Sequence, residues 1–294
     1  MIGYLLVLLV VALNMGESIA VKAYARKYNS GGFIMNAIIA LFACAFFVIK
    51  ILISGEGFNF LGDMIPYALV NSIFYFCGFY FAYVAFKIGP FGLTRLIASF
   101  SLLFPIFYGI FFLNEPTNVF TYVGIALIAC AMVLMNYKGK SATKEKQEGT
   151  VSLKWFIFIL VSTVSNGFIS IMTKMQQVKF NDACSDEFQI ISIGGSFISL
   201  AILGLIIDRN NLGYVLKNGT IYGAISGLFN GAKNFLILFV YALLPISIVS
   251  PIKAGLAIIG SFLLSIIMYK EKYSLMQKIG VACGGAAVVI LTVI

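Results

Sequence analysis

Ten stretches of apolar residues, each long enough to cross a bilayer, follow one another along the chain with short polar gaps between them. They run roughly over 2–22, 32–53, 65–86, 91–113 and 118–137, then over 153–174, 187–207, 218–242, 246–268 and 275–294. A spanning helix needs about 20 such residues, and hydrocarbon offers a backbone amide no partner, so helices or a closed barrel are the only ways across. Barrel strands are far shorter than these runs. With 61% hydrophobic residues and a mean hydropathy of +1.01, the chain carries more apolar surface than one water-soluble core hides. The expectation is an all-α, multi-pass protein of the cell membrane, plasma or inner, with the lipid bilayer as its solvent.

Several function classes lose their footing on composition. The chain has 20 Lys and Arg against 11 Asp and Glu, a formal charge of +9, yet the lysines lie in gaps between apolar runs and form no basic domain; no nucleic-acid partner is expected. Histidine is absent, which removes the commonest general base and the commonest metal ligand. The cysteines, Cys44, Cys77, Cys130, Cys184 and Cys283, have no paired spacing and read as small packing residues. No phosphate-cradling G-x-x-x-x-G-K-[ST] loop occurs and no cluster of catalytic carboxylates stands out, so an enzyme, a cofactor and a metal site are not expected. Ala23-Tyr24-Ala25 faintly resembles a signal cleavage site, but no basic residue precedes the first run, which is read as a true helix.

The two halves repeat one another. A shift of 156 lays Glu115 on Glu271, Gly124 on Gly280, Ala126 on Ala282 and Ala131 on Ala287. A shift of 152 lays Asn14, Ser18 and Lys22 on Asn166, Ser170 and Lys174, so an N-x3-S-x3-K stripe appears twice, each on one helical face. The division is then 1–137 for the first five-helix repeat, 138–152 for a charged linker and 153–294 for the second repeat. Five is an odd number, so the second copy crosses the membrane inverted. Most Lys and Arg near helix ends fall on one side, with only Lys50, Lys174 and Lys179 on the other; the positive-inside rule puts the linker in the cytoplasm and both termini outside.

Ten helices in two inverted copies, each with a glutamate before its last helix (Glu115, Glu271) and a glycine after it (Gly124, Gly280), resemble the EamA-type transporters of the drug/metabolite transporter superfamily. That resemblance implies a secondary transporter, working by alternating access, that moves a small polar or anionic metabolite of amino acid or organic acid type, as an exporter. In the superfamily's drug exporters a glutamate sits eight residues before a lysine on the first helix. Asn14 and Asn166 occupy those places before Lys22 and Lys174, so a proton-coupled export of hydrophobic cations would fall to Glu17. A receptor or scaffold without flux is the alternative from another class. Monomer and homodimer are both open.

Polar residues inside spanning runs cost a few kcal/mol each and should face a cavity or a partner. The candidates for substrate contact are Asn14, Glu17, Ser18, Arg95, Asn166, Ser170, Lys233 and Lys253. Arg95 and Lys253 hold near-equivalent places in the two copies, and with Lys233 they favour an anionic group. Other roles are open to each: Arg95 snorkelling to headgroups, Glu17 neutralising Lys233 or Lys253, and the Asn and Ser residues bonding helix to helix. Gly223, Gly227 and Gly231 form a ridge on the eighth run and Gly280 with Gly284 a shorter one, both read as close-packing faces. Glu115 and Glu271 read as caps of helices five and ten, and Pro105 and Pro251 as kinks within helices four and nine.

Overall fold

A computed structural model describes residues 2–28, 30–55, 57–88, 94, 97–136, 152–180, 183–269 and 274–293. Among them are ten α-helices and no strand: α1 (Ile2–Lys27), α2 (Gly32–Ser54), α3 (Ile65–Ile88), α4 (Leu103–Phe112), α5 (Val119–Asn136), α6 (Leu153–Phe180), α7 (Ser185–Ile207), α8 (Leu212–Leu243), α9 (Ile246–Tyr269) and α10 (Leu275–Val293). A 3-10 turn, Phe100–Leu102, leads into α4. Seven helices are long and apolar enough to cross a membrane, and three shorter apolar ones, Ile97–Phe112, Val119–Leu134 and Ile246–Gly260, add to them among the described residues. The helix positions follow the apolar runs closely. The main departures are α4, which begins at Leu103 after a 3-10 turn although the fourth run begins near 91, and the C-terminal end of α6 and the N-terminal end of α8, each extended through polar residues (Gln176, Gln177 and Lys179; Lys217 and Asn218) that hydropathy does not count. The charged linker and Glu271 lie outside the described residues, apart from Ser152.

The helices gather into two compact units. The first comprises 1–8, 77–171 and 243–294. Within it α5 packs along α10, and α9 packs on α4, α5 and α10. Gly124 and Gly255 permit this, since a Cβ at Gly124 would stand 2.6 Å from Leu291 and one at Gly255 2.5 Å from Val288. Buried Ile128, Met132, Ala254 and Ala287 fill the space between these helices.

Glu115 corrects its assignment as the cap of the fifth helix. Its two carboxylate oxygens accept the backbone N–H groups of Ile246 and Ser247, each at 2.9 Å, and the Ser247 hydroxyl at 2.6 Å. It therefore caps α9, whose first amides have no partner within their own helix. Asn114 takes the left-handed conformation (φ 49°) to turn the chain there. Gly109 leaves room for the carboxylate, since a Cβ at that position would meet it at 2.5 Å. The cap of α5 is the adjacent Asn118, whose Oδ1 accepts the Thr121 N–H at 2.9 Å.

The second unit comprises 9–76 and 172–242. Here α2 lies along α7, and the glycine ridge of α8 takes α2 directly: a Cβ at Gly223, Gly227 or Gly231 would fall 2.5–2.7 Å from Ile38, Phe42 or Phe46. The fourfold spacing on both helices is what lets ridge meet stripe over two turns. At the start of α2, Asp208 accepts the Phe33 N–H at 2.9 Å, a cap supplied from the end of α7.

Gly227→Ala is expected to lower thermal stability by about 1–3 kcal/mol, because the new methyl meets both the Phe42 Cβ and the Ile39 carbonyl oxygen, which is main chain and cannot turn aside. Gly213→Ala, in the first turn of the same helix with nothing within 4 Å, should be neutral or stabilising by up to about 1 kcal/mol. Unfolding curves of the purified variants measure both; equal melting of the two would contradict the packing described.

Candidate functional site

One ionisable residue of α1 meets one of α8 inside the second unit. Glu17 on α1 takes Lys233 of α8 as its ion-pair partner, with Nζ to Oε2 at 2.6 Å, and the two side chains are only 17% and 20% exposed. Lys233 also donates to Asn14 Oδ1 at 3.2 Å. The Asn230 amide donates to the other Glu17 oxygen at 2.8 Å, and the Asn234 amide to Asn230 Oδ1 at 2.8 Å. Each step has a local cause. Asn14 and Glu17, three apart on α1, share a face, as do Asn230, Lys233 and Asn234 on α8. Gly16 removes the side chain that would hold α1 away, since a Cβ there would lie 3.1 Å from the Phe229 ring.

This cluster combines a net-neutral ion pair with three amides in helices that are otherwise mostly apolar around it. It can donate and accept hydrogen bonds and can exchange one charged partner for another. Sequence reasoning found Asn14, Glu17 and Lys233 and missed Asn230 and Asn234. Their signal was present, as amides three residues before and one after a buried lysine.

The other expected site residues fall elsewhere. Ser18 is exposed and returns its hydroxyl to the Asn14 carbonyl, 2.8 Å away on its own helix. Asn166 and Ser170 lie on α6 in the first unit. There Asn166 donates to the Ser162 carbonyl at 2.8 Å and sits against Gly78 of α3, while the Ser162 hydroxyl bonds the Gly78 carbonyl at 2.8 Å. The Ser162 bond runs from helix to helix, of the kind membranes favour, while the Asn166 bond stays within α6. Lys253 is half-buried on α9, two residues after Pro251, the helix's internal proline. Arg95 lies outside the described residues.

Lys174, Lys179 and Lys50 are each engaged. Lys174, 9% exposed, donates to the Tyr241 carbonyl at 2.6 Å. Four residues beyond Tyr241 stands Pro245, which has no N–H, so that carbonyl lacks its ordinary helical partner and the ammonium serves instead. Lys179 donates to the Tyr67 hydroxyl at 2.5 Å and covers its ring. Lys50 pairs with Asp186 at 2.5 Å.

A bundle of apolar helices holding a charge pair and amides in its interior has the build of a membrane carrier. Residues 1–137 match the model of the EamA-like transporter family, and the EamA-type resemblance is borne out over that first half. The fold is shared more widely: 28 chains of solved structures match, among them a crystal structure with a TM-score of 0.74 at 11% identity, over 99% of this chain and 96% of the other. No curated protein matches the sequence.

Removing one member of the Glu17–Lys233 pair leaves a charge in an apolar interior, so Glu17→Gln and Lys233→Met should each destabilise by about 3–5 kcal/mol. The double variant should recover most of that loss. A double-mutant cycle on thermal or denaturant unfolding reads the coupling; additive effects would show that the pair does not act as a unit.

Proposed function

We propose that this protein is a secondary transporter that carries a small polar or anionic solute, of amino acid or organic acid type, out across the plasma or inner membrane by alternating access. The observation that carries this reading is the Glu17–Lys233 pair with Asn14, Asn230 and Asn234 around it. An ion pair of that kind is poor structural glue, because burying two charges costs about as much as their attraction returns. It becomes useful if Lys233 turns from Glu17 to a carboxylate on the solute, with the asparagine amides supplying the remaining bonds.

Two inverted five-helix repeats, 1–137 and 153–294 about a cytoplasmic linker at 138–152, supply the alternating gate in this reading. The paired sequence matches support that arrangement. Arg95 and Lys253, one in each copy, and the repeated Asn166 and Ser170 are assigned to the solute's path on the same symmetry. The rival reading of the same cluster is export of hydrophobic cations coupled to protons through Glu17.

In proteoliposomes loaded with an acidic metabolite, Lys233→Ala and Lys253→Ala should each weaken apparent affinity more than about tenfold. Normal transport by both variants would overturn the anion-binding role. Glu17→Gln separates the rival: loss of proton-driven efflux of cationic dyes in that variant alone would make the protein a cation exporter. Solute-dependent thermal stabilisation without counterflow would make it a receptor.

A further inference from the structure

The second unit holds another charged site, at the opposite end of α7 and α8 from Arg209 and Lys217. A cavity of about 440 Å³ opens there between the C-terminal end of α2, the loop after it, the first turn of α7 and the last turns of α8. That volume lies in the range of about 300–1,000 Å³ usual for small-ligand sites. Lys50, Asn59, Asp186, Glu187, Phe235 and Phe239 are among its walls.

The wall chemistry is ordered. The Lys50 ammonium meets Asp186 Oδ2 at 2.5 Å and sits 4.3 Å from the centre of the Phe235 ring. Glu187, only 6% exposed, accepts the Asn59 N–H at 2.9 Å, which ties the loop to α7. Both carboxylates stand in the first turn of α7, where the helix dipole supports negative charge. Phe235 and Phe239 pack edge to face, 4.9 Å between centres, and form the apolar side.

A cavity bordered by a closed ion pair selects its occupant by charge count. An anion that takes Lys50 leaves Asp186 without its partner, and a cation that takes Asp186 does the same to Lys50. A solute bearing both charges exchanges one pair for two and orphans neither group. We propose that this cavity is a second binding site, for a zwitterionic α-amino acid with an apolar side chain. Its carboxylate lies on Lys50, its ammonium on Asp186, and its side chain on Phe235 and Phe239.

The site is separate from the Glu17–Lys233 centre although both use α8. Phe235 stands one turn beyond Gly231, on the face that meets Phe46 of α2, while Lys233 and Asn230 point to α1. The proposal rests on the chain handling amino-acid-type solutes and does not need Glu17–Lys233 to be the transport centre.

Equilibrium binding of radiolabelled leucine to the purified full chain tests it, beside N-acetyl-leucine, which keeps only the negative charge, and leucine methyl ester, which keeps only the positive one. The wild type should bind leucine at least about tenfold more tightly than either analogue. Lys50→Ala and Asp186→Asn should each remove that component, and the exchanged pair Lys50→Asp with Asp186→Lys should restore part of it, which a misfolded variant would not do. Lys217→Ala, at an exposed position near the start of α8 and away from the cavity walls, should leave the Lys50-dependent component in place. Leucine binding indifferent to Lys50→Ala, equal binding of the three compounds, or no leucine binding by the wild type would each overturn the proposal. Lys50-dependent binding with no flux in proteoliposomes would instead sink the carrier reading and leave this site standing.

Discussion

A charge carried on a helix that lipid surrounds must be met by its opposite within a few ångströms, and in this protein that requirement ties α1 to α8 through Glu17 and Lys233. The contact is possible only because both helices are cut back beside it. Gly16 lets α1 reach the Phe229 ring, and the glycines of α8 let that helix sink onto α2 on its other side. A three-helix arrangement, α1 against α8 against α2, follows from two small-residue faces and one ion pair. Asn14 then accepts a further bond from Lys233, Asn230 donates one to Glu17, and Asn234 in turn bonds Asn230.

The backbone obeys the same rule at the helix ends, where amides and carbonyls have no partner within the helix. Charged side chains distant in sequence supply them. Glu115 serves the first amides of α9, Asp208 the start of α2, and Lys174 the carbonyl that Pro245 leaves unpaired. Each places a charge against a partial charge of opposite sign, so each costs less to bury than a free ion would. Many of the charged residues in this apolar chain thus have structural employment. Glu17 and Lys233 stand out by contrast, because each is held by side chains: the two by one another, Lys233 also by Asn14, and Glu17 also by Asn230.

Two ion pairs in the second unit differ in depth and in surroundings. Glu17–Lys233 lies near the middle of α8 and is wrapped in amides; Lys50–Asp186 lies toward its end and borders an open cavity with an aromatic wall. Each pair is neutral, so neither sets up a large field that would hold a solute too tightly to release. A carrier benefits from that property, since passage needs binding that is easily undone.

The sequence alone determined the helices and their number, because the length of an apolar run is imposed by bilayer thickness and needs no knowledge of neighbours. It also marked Glu17, Lys233 and the glycine ridge, since charge and small size inside such runs are legible one residue at a time. Only the tertiary structure decided which groups meet. It placed Glu115 on α9 and not on the helix beside it, joined Lys233 to Glu17 and not Lys253 to Glu17, added Asn230 and Asn234, and put Lys50 with Asp186 at the edge of a cavity. Apart from Asn234 with Asn230, one turn apart on α8, those pairings span more than a hundred residues of chain. They are chosen by which helix faces touch, a matter of packing geometry that local periodicity does not encode.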